Sequence, residues 1–409
     1  MDRTRSGMTD SASRIASADA LAIARILAVS PELFALERAA DRLRLKDHEL
    51  LHAGPPLNEP TRPCTPVLNA AVAAILFEGW ADTPDNASDM VRSGKISLRP
   101  ALDLGCAVPL ADVLSPSMWL QVVRDAAEPQ RWACSPINGG PTNVMRAGVF
   151  DLAVVTQLRW LDQEFAPAYR AAIAEAAVPL IPLADQGLAA GDDCHGKTVA
   201  ASAAFARVIH DRLRGPSADA CRVFVARSPA FFLNLWMAAS RAMLSAAAGT
   251  ADSSVVTAAG GNGLDFGIQL AGKPGRWFTT AASAPLVPHA SEAIARSSLG
   301  AIGDSAIVDL LGLGAMTTRT RGPQEASAFA GLWPETASAP AKLLSAVHPA
   351  FEHTRARLIV RATSVVDAAS SPVISLGVLD KEGLQGRLGG GFYRAPAELF
   401  VHACAELLA

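Results

Sequence analysis

The sequence reads as a mixed protein, α/β or α+β, with a small helical module, on three observations. Half of its 409 residues are hydrophobic and 18% are charged, so apolar surface is ample to offset the entropy of folding and a disordered chain is excluded. Some stretches carry apolar residues at helical spacing, and others carry short runs of β-branched and aromatic residues. Gly/Pro breaks at 138–142 and 215–216 separate these stretches, and at ~100–200 residues per domain the length allows two or three domains. The expected divisions are a disordered N-terminus over 1–16, a mixed α/β domain over 17–147, the helical module over 148–215 and an α+β domain over 216–409.

In chain order, 17–44 carries the apolar positions of one or two amphipathic helices (Leu21, Ile23, Ile26, Leu27; then Leu33, Leu36, Ala39, Leu43). His52-Ala-Gly-Pro-Pro56 is a turn, 67–80 a buried helix rich in Ala, Val, Ile and Leu, and 96–98 and 119–124 are strands. Strong helical periodicity covers 150–177, where Pro167 kinks or divides the helix, and another helix covers 197–214. Beyond Gly215 the pattern alternates. It predicts a strand at 221–226, a helix at 231–248, a short strand at 254–257 and a hairpin of 265–270 with 276–280. Strands at 357–366 and 373–378, a glycine-rich segment at 383–391 and a closing helix at 397–408 follow.

Composition narrows the function. A net charge of −3 with no basic stripe argues against nucleic acid as a partner, because phosphate-backbone binding needs clustered positive charge. No stretch supplies the ~20 mostly apolar residues of a membrane span, and 1–16 lacks the apolar region of a secretory signal. Six scattered cysteines without a CxxC pair fit a reducing cytosol. A cytoplasmic protein is expected, with a homodimer as the default assembly.

Four segments can carry chemistry. Gly191-Asp-Asp-Cys-His-Gly-Lys-Thr198 gathers two carboxylates, a thiol, an imidazole and an ammonium at the start of a predicted helix. An anion is favoured there; His195 can move protons near neutral pH and Lys197 can hold an oxyanion. The plainer alternative is that Asp192 or Asp193 caps the helix while His195 bonds a neighbouring loop. The segment also spells GxxxxGK[ST], but 182–190 does not read as a buried strand and the acidic interior repels a triphosphate, so no nucleotide loop is expected. In Ala259-Gly-Gly-Asn-Gly-Leu-Asp-Phe-Gly267, Asn262 and Gly263 allow close approach to a small ligand with Asp265 orienting an amide, or simply make a tight turn. Asp304 and Ser305 sit at a helix start as a cap. Lys381, Arg387 and Arg394 surround the 383–391 segment and either cradle a carboxylate or phosphate or are solvated. No GxSxG, HExxH or metal-ligand spacing occurs, so neither metal nor cofactor is indicated.

Taken together these segments resemble one family, the YlbE-like proteins, which includes the AllG-type subunits of oxamate carbamoyltransferase. The resemblance rests on an ordered set from Leu51-His-Ala-Gly-Pro-Pro56 through Leu114-Ser-Pro-Ser-Met118, Met145-Arg-Ala-Gly148 and Gly191-Asp-Asp-Cys-His195. It continues through Phe231-Phe-Leu-Asn-Leu235, Asn262-Gly-Leu-Asp-Phe-Gly267, Gly303-Asp-Ser-Ala306 and Gly389-Gly-Gly391. It implies an α+β fold of several mixed pieces. It also implies transfer of a carbamoyl group between phosphate and the amide of oxamate, together with FdrA-like and AllH-like companion subunits. For that chemistry Lys197, Lys381 or Arg394 would hold phosphate, and Asn234 or Asn262 would face the developing oxyanion. His195, Asp193 or Asp265 would handle the proton, with Asp304 beside them. The family's usual histidine-rich stretch is replaced here by Leu102-Asp-Leu-Gly-Cys-Ala-Val-Pro-Leu-Ala111, and Asp380 stands where a histidine is common. A non-catalytic subunit that binds an FdrA-like partner, and a ureide amidohydrolase, are the alternatives.

Overall fold

A computed structural model describes residues 2–137, 139–317 and 339–408. Strand Pro31–Arg38 runs antiparallel to Trp119–Asp125, with Pro31 opposite Asp125 and Arg38 opposite Trp119. The short Val178–Pro179 flanks it on one side, and Trp132–Pro136 completes a four-stranded sheet beyond Trp119–Asp125. Helix Phe231–Ser245 lies across this sheet. Its sequence is apolar on every face, and Phe232, Leu235, Trp236, Ala239 and Met243 are all buried, as a helix enclosed on all sides requires.

A second four-stranded antiparallel sheet runs Lys273–Ala281, Asp265–Leu270, Val256–Asn262, Ile302–Gly303. The hairpin Val373–Leu379 with Arg387–Arg394 and the short helix Ala306–Leu311 pack beside it. One large core joins the first sheet, the helical segments from 161 to 226, helix Phe231–Ser245 and the second sheet, so all three expected segments contribute to it. A second core surrounds helix Thr65–Glu78 and the three-stranded sheet Ser97–Pro100, Glu49–His52, Val113–Leu114. The fold is α+β, as the sequence predicts.

Pro167 marks an irregularity in the helix, and its form is specific. Helix Leu152–Trp160 passes into a π-helical turn, Leu161–Phe165, and on into Ala166–Glu175 with the backbone helical throughout, and Pro167 stands directly after that turn, the kind of irregularity at which helices kink.

Several expectations are corrected. Helix Asp2–Leu27 takes in both the stretch expected as a frayed terminus and the first apolar run, but the second run is strand Pro31–Arg38. A bulge between Leu33 and Ala35 puts Leu33 and Leu36 into the core three residues apart, which imitates helical spacing. The expected strand at 221–226 is helix Ala218–Ala226, with Ala218, Cys221 and Val225 buried at spacings of three and four. The strand expected over 357–366 ends at Val360 and a helix, Ala362–Ala368, follows. Gly389–Gly391 belong to strand Arg387–Arg394; a Cβ on Gly391 would lie 2.9 Å from the Leu286 carbonyl oxygen, so a bare strand is needed there. Asn138, the first residue of the expected Gly/Pro break, lies outside the described residues. Among the described residues no helix is long and apolar enough to cross a membrane.

The loop after strand Glu49–His52 lies backbone against backbone on the second sheet. Gly54 has φ of +80°, and a Cβ there would lie 2.3 Å from the carbonyl carbon of Gly261 and 2.5 Å from the Asn262 nitrogen. Gly54→Ala should therefore lower unfolding stability by about 1–3 kcal/mol, as overpacking does. Denaturant unfolding checks this, and an unchanged midpoint would mean the loop is not pressed on that strand.

Candidate functional site

Segment 191–198 is a loop closed by its own carboxylates. Asp193 Oδ1 accepts the N–H of His195 at 2.8 Å and of Lys197 at 2.9 Å. Asp192 Oδ2 accepts the N–H of Ala201 at 2.9 Å, so Asp192 caps helix Val199–His210. Helix Ile181–Ala189, not a strand, precedes the loop. With two of its N–H groups already bonded to Asp193, this loop is no nucleotide phosphate cradle.

His195 is 6% exposed, and its Nδ1 is hydrogen-bonded to Oδ2 of Asp309. Asp309 comes from helix Ala306–Leu311 and is fully buried; its Oδ1 accepts the N–H groups of Ala315 (2.7 Å) and Ser375 (3.0 Å). The Gly314 N–H donates to the Asp193 carbonyl at 2.7 Å and ties the two segments together. Burial pushes the Asp309 carboxyl up, and His195 beside it pulls the other way. The imidazole is held at one nitrogen, and its Nε2 has no hydrogen-bond partner among the described residues. Such an arrangement can give or take a proton at Nε2. Sequence reading missed Asp309, and its signal was a lone carboxylate inside the apolar run 306–313.

Asp304, just before the same helix, is also fully buried. Its Oδ1 accepts the Gly54 N–H at 2.7 Å and its Oδ2 the Val108 N–H at 2.9 Å. Burial pushes this carboxyl up to about 8, against those two N–H groups and the Arg241 guanidinium. The expected cap is corrected: the Ser305 side chain makes no capping bond, and the Asp304 side chain leaves the helix to bind two distant loops.

Strand Val373–Leu379 extends the site. A Cβ on Gly196 would lie 3.6 Å from the Ser375 Cβ, and a Cβ on Gly377 would lie 3.3 Å from Arg387 Nε and 3.2 Å from the Leu110 side chain. Residues 375 and 377 share one strand face about 7 Å apart, so the His195 loop and Arg387 border the same face.

The other expected residues divide into separate places. Asn262 spends its amide on the turn it starts: Oδ1 accepts the N–H groups of Leu264 and Asp265, and Nδ2 donates to the Pro55 carbonyl. Gly263 is pressed on Leu299 and Cys64, and Asp265 accepts a bond from Asn58, with burial raising its carboxyl. This turn joins Asp304 through the pairing of Ile302 with Asn262 and Gly303 with Gly261. Asn234 donates to the Pro136 carbonyl at 2.9 Å, beside Gly139. Lys197 is exposed, next to His195. Lys381 follows Leu379 at one end of the C-terminal hairpin, whereas Arg394 pairs with Val373 at the other. About 20 Å of strand separates them, so the two do not share one anion.

A family model described as oxamate carbamoyltransferase subunit AllG matches residues 96–305, just over half of the chain. Among relatives, the oxamate carbamoyltransferase subunit AllG of Escherichia coli (strain K12) is 29% identical over 414 residues, covering 96% of this chain and 97% of that protein. The uncharacterized protein YahG of the same organism is 30% identical over 318 residues, 76% of this chain and 66% of that one. The fold is shared with the crystal structure of a conserved protein of unknown function from Enterococcus faecalis V583, with a TM-score of 0.86 at 24% identity over 96% and 97% of the two chains.

The buried groups give stability a defined pH dependence. His52 and His348 are held down to about 4 by burial. They bind fewer protons folded than unfolded between about 4 and 6.5, so stability rises with pH across that window. Asp304, raised to about 8, binds more protons folded than unfolded above 3.8, so its contribution is lost as pH rises toward 8. The melting temperature should peak near pH 6.5 and fall toward 8, with a slope of at most about 1.4 kcal/mol per pH unit from this carboxyl. Asp304→Asn should be less stable overall but lose the alkaline fall; thermal melts across pH check both.

Proposed function

The chain belongs to the family of oxamate carbamoyltransferase subunit AllG, and on that footing we propose that it carries the proton-transfer group of a carbamoyl transfer. The reaction is oxalurate plus phosphate giving oxamate plus carbamoyl phosphate, or its reverse. Phosphate oxygen attacks the ureido carbonyl carbon, the bond from that carbon to the internal nitrogen breaks, and the leaving nitrogen takes a proton to become the oxamate amide. His195 Nε2 is the donor of that proton, and in the reverse direction it removes the proton as the amide nitrogen attacks. Asp309 holds Nδ1 and steadies the imidazolium that forms. Asp193 fixes the loop that carries His195, and Asn234 is the candidate donor toward the carbonyl oxygen. The observation that carries this reading is the buried His195–Asp309 pair, with Asp309 anchored by two backbone N–H groups.

The reading places the chain in the cytoplasm, working with FdrA-like and AllH-like companions, since the family is named for a subunit. One observation favours a second reading, a non-catalytic subunit that shapes an FdrA-like partner. Segment 102–111 has no histidine, and Val108 in it is buried and bonded to Asp304. Asp380 likewise closes a turn by accepting the N–H groups of Leu384 and Gln385.

Phosphorolysis of oxalurate, followed as carbamoyl phosphate formed by the chain with its companions, separates the two. His195→Ala should lower kcat by about 10²–10⁴. Asp309→Asn should lower it nearly as far, while Asp265→Asn should leave most activity. A full rate in His195→Ala would remove the proton-transfer role and leave the scaffold reading.

A further inference from the structure

We propose that Arg146, Arg387 and the backbone of Gly139 and Gly140 form a binding site for a phosphoryl dianion. The proposal deepens the carbamoyl-transfer reading and rests on it for the natural ligand, a free phosphate or the phosphoryl group of carbamoyl phosphate.

Arg146 lies in the 3-10 turn Met145–Ala147, which the Ala111 N–H anchors by donating to the Arg146 carbonyl. Its guanidinium turns toward the preceding glycines: Nη2 donates to the Gly140 carbonyl at 3.4 Å, and a Cβ on Gly139 would lie 3.3 Å from Nη1. Gly386 packs on the same turn, since a Cβ there would lie 3.6 Å from the Ala147 Cβ. The next residue, Arg387, thereby brings a second guanidinium into the field of the first. Burial pushes the Arg146 guanidinium below its usual range; Asp112 opposes that shift and Arg387 adds to it.

Two cations brought together need a reason. Each guanidinium has five N–H donors. Arg146 spends one on Gly140, and Arg387 one on the Gly389 carbonyl at 3.1 Å; neither has a carboxylate oxygen within ion-pair distance among the described residues. The N–H groups of Gly139 and Gly140, both buried, donate to no acceptor among the described residues. Unpaired buried N–H groups are rare because they are costly. Donors of the 139–146 loop and of the C-terminal hairpin thus lie near one another with a surplus of positive charge. A tetrahedral dianion offers several oxygens to donors from both directions, whereas a planar carboxylate offers two oxygens and one charge. The place also fits the reaction, because Arg387 Nε lies over Gly377, on the strand face that Ser375 turns to the His195 loop.

Titration calorimetry of the purified chain tests the site with inorganic phosphate, carbamoyl phosphate and oxamate in separate runs. The wild-type chain should bind both phosphate compounds, and the tighter of the two identifies the ligand the site is built for. Arg146→Gln and Arg387→Gln should each weaken that binding tenfold or more, and Gly139→Ala, which keeps both arginines, several-fold. Oxamate binding should not change in any of them. No phosphate binding at millimolar concentration, or variants that bind as tightly as wild type, would overturn the site. Arginine-dependent phosphate binding without oxalurate phosphorolysis by the assembled complex would keep the site and remove the carbamoyl-transfer reading. Phosphorolysis with an unchanged KM for phosphate in both arginine variants would do the reverse.

Discussion

Two buried carboxylates, Asp304 just before the short helix Ala306–Leu311 and Asp309 within it, are the points on which the surrounding loops are arranged. Asp304 takes N–H groups from the loops at Gly54 and Val108; Asp309 takes those of Ala315 and Ser375 and the imidazole of His195. A carboxylate is suited to this because its two oxygens accept from several directions at once, while backbone N–H groups in a dry interior must find an acceptor. Burial opposes both charges and raises both carboxyls. The helix that carries Asp309 is fixed by Ile307, Val308, Leu310 and Leu311, all buried, so neither carboxylate can move without opening the core.

Close backbone packing follows from the same constraint. The Gly54 loop can reach Asp304 only by lying on Gly261, and a Cβ on Gly260 would come within 2.7 Å of Asp304 Oδ1. The glycine-rich stretch 259–267, which looks like a ligand cradle in the sequence, is therefore mainly the floor on which one loop rests. Gly139 is different, since a Cβ there would crowd the Arg146 guanidinium rather than the backbone of a neighbouring strand, while one on Gly140 would meet the Phe224 ring.

Much of this was legible in the chain itself. The α+β class, helix Phe231–Ser245, the irregularity at Pro167 and the placement of His195 beside Asp193 all follow from local pattern. What the sequence did not reveal depends on contacts between distant segments. Asp309 is 114 residues from His195, and nothing local marks it except a charge in an apolar run. Leu33 and Leu36 read as helical because a bulge restores in a strand the spacing a helix would have. Lys197, Lys381 and Arg394 looked equivalent as anion ligands, yet the hairpin carries the last two to opposite ends. Arg146 and Arg387, far apart in the chain, come within each other's field where Gly386 packs on the 145–147 turn.

The carboxylate-held imidazole is the centre of the proposed chemistry, and nitrogen-15 NMR of the His195 ring reads it directly. At neutral pH the Nδ1 resonance should be that of a protonated, strongly hydrogen-bonded nitrogen, and Asp309→Asn should shift it while leaving the other histidines in place. An Nδ1 without a proton, or a His195 spectrum indifferent to Asp309→Asn, would contradict an imidazole oriented by Asp309 for proton transfer at Nε2.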